Sequence, residues 1–181
     1  DYFVGSEETE PSHGWDYKPI LEEMETGNSL FGDQMGRLVV DAYTNHATVN
    51  GTDDITLSLT DLFLIPDLET KVEALLTKIQ TDGKVRKLQQ ARAGAEEYGK
   101  AVHNPETSFD VVDIIDMMKK LKNLDPTLSV EADSVIAAAR RTILHNTNGT
   151  ARPHANGITM YLPHEVFVSE GETEWMMANV Y

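Results

Sequence analysis

Short strand-like runs separated by longer helical patterns constrain the fold of this chain more than any other feature. Residues 1–6 are rich in aromatic and β-branched side chains, residues 55–60 alternate apolar with hydroxyl side chains, and residues 157–162 form a third apolar run that Pro163 ends. Each run is typical of a β-strand. Because helical segments separate the runs, the sequence predicts an α/β fold in which mostly parallel strands are covered by helices.

Helical periodicity is the pattern of the intervening segments. Apolar residues recur there at three- and four-residue spacing, which predicts amphipathic helices. Ser108 has the side chain and the position of an N-cap for one of them. The predicted helices cover residues 17–27, 33–47, 68–82, 84–100, 109–122 and 126–143, with a turn at 147–150. With 181 residues and no apolar run as long as a membrane span, the chain is expected to form one domain.

Acidic side chains dominate the charge. The net charge is −15 at pH 7, which disfavours nucleic acid and anionic membranes as partners and leaves cationic peptides. The first 25 residues hold eight acids and one base. An acidic loop that follows a strand end can bind a cationic side chain, although a merely solvated loop explains the same composition. The opposite, basic stretch of Lys84, Arg86, Lys87 and Arg92 is either a solvated helix face or a surface that docks against an acidic partner or another part of the same protein.

Motifs for common catalytic and metal chemistry are missing from the sequence. Residues 27–31 approach the serine-hydrolase elbow but end in Phe31, so Ser29 is interpreted as a cap. The six histidines show no helical i, i+4 pair, and Asp53 and Asp54 lack calcium-ligand spacing, so no metal site is predicted. The chain has no Cys, which excludes a cysteine nucleophile, a thiolate metal site and a disulfide within it.

The acidic segment also carries a longer motif. Residues 5–11, Gly-Ser-Glu-Glu-Thr-Glu-Pro, and residues 14–17, Gly-Trp-Asp-Tyr, resemble the Ser-Glu-Glu-x-x-Pro-Gly-x-Gly-Trp-x-Tyr signature of the clostripain-like cysteine peptidases, in the caspase and gingipain clan. Residues 156–163 resemble the family's Gly-Leu-Ser-Ile-Tyr-Phe-Pro strand, and residues 109–113 its Tyr-Ile-Asp-Leu pattern. Residues 174–181 are similar to its closing Trp-x-x-Phe-Leu segment. Together these stretches span nearly the whole chain.

This resemblance implies a caspase-like α/β sandwich that cleaves peptides after Arg or Lys through a His and Cys dyad. Both dyad residues precede the Ser-Glu-Glu segment in the family. Residues 1–181 are therefore expected to be the C-terminal, heavy-chain-like part of one peptidase domain, with no catalytic residue of their own. The implied partners are the upstream or light-chain portion carrying the dyad, and peptide or protein substrates with basic residues. The resemblance further implies secretion, autoprocessing, and calcium as the one candidate cofactor, since some relatives require it.

The implied substrate-binding residues are Ser6, Glu7, Glu8, Thr9 and Trp15. The first four follow a strand end, where they can bond the substrate backbone and line an acidic wall for its basic side chain. Trp15 has two open roles, flanking the pocket or anchoring the loop. The competing hypothesis is a non-enzymatic acidic α/β module that binds a cationic protein partner.

Overall fold

The fold is given by a computed structural model, which describes residues 1–27, 30–99 and 108–163. The predicted cap Ser29 and the family-like segment 174–181 lie outside the described residues. The helices are α1 Lys18–Glu25, α2 Gly32–Val49, α3 Ile65–Thr81, α4 Val85–Gly94, α5 Ile114–Leu124 and α6 Ser129–Thr142. The strands are β1 Tyr2–Gly5, β2 Thr56–Asp61, β3 Glu97–Gly99, β4 Ser108–Asp113, β5 Ile143–Asn148 and β6 Thr159–Tyr161.

These strands form two small sheets. One sheet has the order β1-β2-β5 and the other β3-β4-β6. In the first, Val4 lies opposite Leu59, and Leu59 lies opposite His145. In the second, Val112 lies opposite Met160. The chain is therefore α/β, as predicted, but every pairing between described strands is antiparallel, so the prediction of mostly parallel strands is wrong for this part of the chain.

The number of connecting helices explains the direction of β2 relative to β1. One helix between two strands returns the chain so that the second strand runs parallel to the first. Between β1 and β2 the chain passes through two helices, α1 and α2, which reverse it once more. The rule that predicted parallel strands assumed single-helix crossovers, and the connection between β1 and β2 is not one.

The two faces of β2 differ, because one is apolar and the other carries hydroxyl side chains. Leu57 and Leu59 are almost fully buried and pack against α2, whose contributions to the cluster are Val40, Tyr43 and Ala47. The alternate side chains, Thr56, Ser58 and Thr60, are also buried and belong to the opposite face, because successive residues of a strand point to opposite sides. The strand predicted at 55–60 is therefore confirmed, and its hydroxyl face lies towards the acidic segment after β1.

The larger hydrophobic core lies between α3, α4, α5 and α6. Its members recur at helical spacing along each helix, as the sequence predicted for α3, α5 and α6. Fully buried members include Leu75, Ile79, Met117, Leu121 and Val135. β4 and β6 border this core, so the second sheet is fixed by the helices around it. Among the described helices, none combines the length and the apolarity needed to cross a bilayer.

Three predictions of local structure are wrong. The helix predicted over 84–100 ends at Gly94, and β3 follows it. The turn predicted at 147–150 begins too early, because β5 runs to Asn148. Ser108 begins β4, and α5 is capped instead by Asp113, whose carboxylate accepts a 2.6 Å hydrogen bond from the backbone N–H of Asp116. Short runs of aromatic and β-branched residues fit helical spacing and a buried strand equally well, which is why β4 was taken for a first helical turn.

Two residues of the basic stretch, Lys84 and Arg92, are paired within the fold. Lys84 Nζ lies 3.1 Å from Asp125 Oδ2, and Arg92 donates a 2.9 Å hydrogen bond to Glu97 Oε1 and a 2.8 Å bond to the carbonyl of Leu162. Arg92 is only 3 % exposed. At Arg92, therefore, the prediction of a solvated helix face is wrong, and the alternative of docking against an acidic part of the same protein is confirmed.

Candidate functional site

The acidic segment of residues 6–9 leaves the end of β1 and is held by Thr56 at the start of β2. Ser6 Oγ donates to the Thr56 carbonyl at 2.6 Å and lies 2.9 Å from Thr56 Oγ1. The backbone N–H groups of Glu7 and Glu8 both donate to Thr56 Oγ1, at 2.9 Å and 3.1 Å. One hydroxyl of the polar face of β2 therefore fixes two consecutive peptide groups, and this sets the course of the backbone at the strand end.

The Glu8 side chain points inward, and both of its carboxylate oxygens accept hydrogen bonds. Oε1 accepts from the backbone N–H of Thr9 at 2.7 Å, and Oε2 accepts from the backbone N–H of Gly99 at 3.2 Å and from the guanidinium of Arg152. Glu8 is 7 % exposed. A buried carboxylate that is paired and hydrogen-bonded in this way is a structural anchor, which ties the acidic segment to β3.

Arg152 is the centre of this anchor. Besides Glu8, its guanidinium donates to Asp54 Oδ1 at 2.6 Å and to the carbonyl of Glu97 at 3.1 Å. It also lies over the ring of Tyr98, 5.6 Å from the ring centroid, as in a cation–π contact. Asp54, from the acidic pair that lacks calcium-ligand spacing, is thus engaged by an arginine. Among the described residues there is no group of three or more His, Asp or Glu side chains that could hold a metal ion.

The Glu7 side chain is turned inward on the other side of the segment. Oε2 accepts from the backbone N–H of Gly157 at 2.9 Å, whereas Oε1 is shielded from solvent and has no hydrogen-bond partner among the described residues. Burial is the main cause that raises the pKa of Glu7 to about 9, and the negative charge of Asp113 is the second. Burial and the Glu7 carboxylate also raise the pKa of Tyr98 above its ordinary value. Glu7 therefore carries a proton at neutral pH, while Glu8 faces a guanidinium.

A loop before β6 forms the opposite side of the site. Asp113 accepts a 2.6 Å bond from the backbone N–H of Asn156 and a 2.9 Å bond from Asn156 Nδ2. Ser58 donates to the carbonyl of Gly157 at 2.6 Å. Gly157 has a φ of 105°, a backbone conformation that side chains with a Cβ rarely adopt. The loop thus approaches β2 closely at a residue whose backbone conformation would be strained for any residue other than glycine.

A cavity of about 190 Å³ opens between these two sides. Its wall includes Ser6 and Glu7 from the acidic segment, Ser58 from β2, and Gly157. A larger groove of about 370 Å³ adjoins it, because the two share Ile65, Ile158 and Thr159. The groove is mainly apolar and carries Glu69 and Glu73 of α3. The small cavity at the end of β1 therefore continues into a longer trough along β6.

The five residues implied by the resemblance occupy different places. Ser6 and Glu7 line the cavity, Glu8 is an internal ion-pair partner, and Thr9 is exposed. Trp15 does not line the cavity. Its Nε1 donates to Glu10 Oε2 at 2.6 Å, and its ring lies against Tyr43 of α2.

Sequence reasoning missed most of the residues that hold this site in place: Thr56, Ser58, Tyr98, Asp113, Arg152 and Asn156. Hydroxyl alternation in residues 55–60 was a signal for the first two. Asp113 and Asn156 lie in stretches that were singled out only by resemblance. Apolar spacing over residues 84–100 indicated that Tyr98 is buried, but not that it lies beside Glu7. Arg152 carried no local signal, because it acts on a residue far away along the chain.

A comparison with protein-family models supplies the remaining observation. The model of the clostripain family of peptidases matches residues 1–171, which is most of the chain. The chain belongs to the clostripain family. No match was found among curated proteins. Membership of the clostripain family places this chain in a family of peptidases. In the structure, the Ser-Glu-Glu segment and the 156–163 stretch line opposite sides of one cavity.

Proposed function

We propose that this chain is the substrate-binding, C-terminal part of a clostripain-like cysteine endopeptidase that cleaves after Arg or Lys. The observation that carries the proposal is the cavity at the end of β1, where Ser6 and Glu7 of the family motif face Gly157. Residues 1–181 would form one part of the peptidase domain, and the His and Cys dyad would lie in another part. The family match favours this reading over a non-enzymatic acidic binding module.

The chemistry requires two separate tasks, nucleophilic attack and substrate binding. A thiolate must attack the scissile carbonyl while a histidine handles the proton, and the substrate must be held extended with its basic side chain paired. The sequence contains no Cys, so the nucleophile has to come from another part of the peptidase. This chain would hold the substrate, with the Ser6–Thr9 backbone as one wall of the cleft.

The edge of β1 supports a partner of this kind. Among the described strands, β1 pairs only with β2, and Tyr2 and Phe3 are exposed. An unpaired strand edge with apolar side chains is a ready surface for another strand. A strand from the part that carries the dyad would extend the sheet there, and a longer caspase-like sheet is part of the proposal.

Glu7 is the acid that we assign to the basic side chain. Glu8 is already neutralised by Arg152, whereas Glu7 lines the cavity and has an unpartnered oxygen. An opposite charge nearby favours the ionised form of a carboxyl group. A guanidinium or ammonium that enters the cavity would therefore take the place of the Glu7 proton, and binding of a basic substrate would release that proton.

Paired substrates test this assignment in the assembled peptidase. A charge-assisted hydrogen bond contributes about 1.5 to 3 kcal/mol, so Glu7→Gln should lower kcat/KM for Arg substrates roughly 10- to 150-fold, with a smaller loss on a neutral substrate. Glu8→Gln should lower both to a similar extent because it loosens the segment. The matched control is Glu10→Gln, an exposed acid of the same loop. Equal losses in Glu7→Gln on both substrates would show that Glu7 supports the fold rather than selecting the side chain.

Activity of the separate parts tests the division of labour. The purified 181-residue chain should hydrolyse no Arg or Lys reporter peptide, and mixing it with the part that carries the dyad should produce activity. Hydrolysis by the chain alone, in a preparation free of contaminating peptidase, would refute the proposal. A chelator titration of the assembled enzyme tests calcium, and detection in the culture medium tests the secretion that the resemblance implies.

A further inference from the structure

Asp113 is the hub of a hydrogen-bond cluster behind the cavity. Its Oδ2 accepts from the backbone N–H of Asn156 at 2.6 Å. Its Oδ1 accepts from Asn156 Nδ2 at 2.9 Å and from the backbone N–H of Asp116 at 2.6 Å. Asp113 is fully buried. One carboxylate therefore caps α5 and at the same time holds both the backbone and the side chain of Asn156.

The amide of Asn156 is itself fixed in orientation. Lys119 Nζ lies 3.3 Å from Asn156 Oδ1, and Asn156 Nδ2 donates to the carbonyl of His154 as well as to Asp113. A lysine can only donate, which identifies the oxygen of the amide and leaves its nitrogen facing Asp113. The Asn156 side chain is thus a rigid link between α5 and the loop before β6.

Gly157, the next residue, is held on two further sides. Its N–H donates to Glu7 Oε2 at 2.9 Å, and its carbonyl accepts from Ser58 Oγ at 2.6 Å. A Cβ at this position would lie 2.9 Å from the Cβ of Ser58. Gly157 is therefore tightly packed. Because it directly follows Asn156, the position of its N–H depends on the contacts that hold Asn156.

We infer that Asp113 and Asn156 are positioning residues of the substrate cleft, because they hold the Gly157 N–H at the place where it fixes the Glu7 carboxyl. Neither residue lines the cavity, so neither touches the substrate. The inference rests on the proposed function for its effect on catalysis. The contacts from Asp113 through Asn156 and Gly157 to Glu7 are independent of that function.

The groups around Glu7 support this role. Tyr98 faces it from β3, Asp113 from the end of β4, and the Gly157 N–H from the loop before β6. The negative charge of Asp113 helps to raise the pKa of Glu7. Asp113 therefore acts on Glu7 in two ways, through the position of Gly157 and through its charge.

The decisive variant is Asp113→Asn. Asn is as good an N-cap as Asp, so α5 keeps its cap, while the new amide nitrogen would face the backbone N–H of Asn156, a second donor. In the assembled peptidase, Asp113→Asn should raise KM for an Arg peptide about tenfold or more with little change in kcat. The matched control is Asp125→Asn, the same change at the capping aspartate of Pro126–Leu128, which should leave both constants within about twofold of wild type.

Amide hydrogen exchange in the 181-residue chain gives a readout that needs no substrate. The Gly157 N–H should be protected in the wild type and should exchange at least about tenfold faster in Asp113→Asn, but not in Asp125→Asn. An unchanged KM in folded Asp113→Asn, or unchanged Gly157 exchange, would overturn the inference. If Asp113→Asn does not fold, Asn156→Ala is tested in the same two assays. We expect KM to rise about threefold, and no change would overturn the inference.

A wild-type peptidase that cleaves no basic substrate would refute the proposed function, and the exchange result would still decide whether Asp113 positions Gly157.

Discussion

Replacing Glu7 with Gln should stabilise the chain at alkaline pH and leave it nearly unchanged at acid pH. Burial and the charge of Asp113 raise the pKa of Glu7 from 4.5 to about 9. Between these values the folded chain holds a proton at Glu7 that the unfolded chain has released. The stability that this proton contributes is fully present below about pH 4.5 and is lost as the pH rises towards about 9. A glutamine mimics the protonated acid, because its amide can accept from Gly157 N–H and has no charge to bury.

The magnitude follows from one proton. The free energy of unfolding of the wild type should fall by up to about 1.4 kcal/mol per pH unit relative to the variant. Between about pH 6 and about pH 8, the difference between Glu7→Gln and wild type should therefore grow by up to about 3 kcal/mol in favour of the variant. Asp113 has a raised pKa for the same main reason, burial, and it adds to the slope with the same sign in both proteins.

Urea denaturation at a series of pH values measures this difference directly. The control is Glu22→Gln, which removes the same charge from the exposed side of α1 and should give a difference that is flat with pH. A flat difference for Glu7→Gln as well would refute the reasoning, because it would mean that the Glu7 carboxyl loses its proton in the folded chain as easily as in water.

Three further predictions concern the contacts that hold the site. Thr56→Val removes the acceptor of two backbone N–H groups and should cost about 2 to 4 kcal/mol of unfolding free energy in urea, whereas Thr56→Ser keeps the hydroxyl and should cost about 1 kcal/mol or less. Arg152→Met leaves Glu8 buried without its cation and should cost about 3 to 5 kcal/mol by the same assay. Gly157→Ala should cost about 1 to 3 kcal/mol and lower the Tm, because of its φ of 105° and the approach of Ser58; an unchanged Tm would contradict the crowding at this residue.

Local patterns predicted much of the fold because the forces behind them are local. Alternation in residues 55–60 predicted β2, and helical spacing predicted α2, α3 and α6, since one buried face repeats along each element. The same reasoning failed at β4, where side chains suited to a buried strand also matched helical spacing. It failed again at the strand directions, which depend on how whole helices are connected rather than on any stretch of residues.

The candidate site was predicted only in part, for a related reason. The motif located Ser6 to Thr9, and its charge suggested two free carboxylates facing a substrate. The structure turns both side chains inward, because Arg152 neutralises Glu8 and burial keeps a proton on Glu7. Neither effect can be deduced from the acidic segment alone, since the partners that decide the state of each carboxyl group come from other elements.

The anchors of the acidic segment also determine the order in which it can form. Glu7 meets Gly157 across 150 residues of chain, and Glu8 meets Arg152 across 144. Contacts between such distant residues close very long loops and are among the slow steps of folding. A nascent chain that has emerged only as far as α6 lacks Arg152 and Gly157, so the backbone of the segment can bond Thr56 before the side chains of Glu7 and Glu8 meet these partners. The wall of the cleft is therefore completed near the end of folding, and loss of the chain after α6 would remove Arg152 and Gly157 without changing the motif itself.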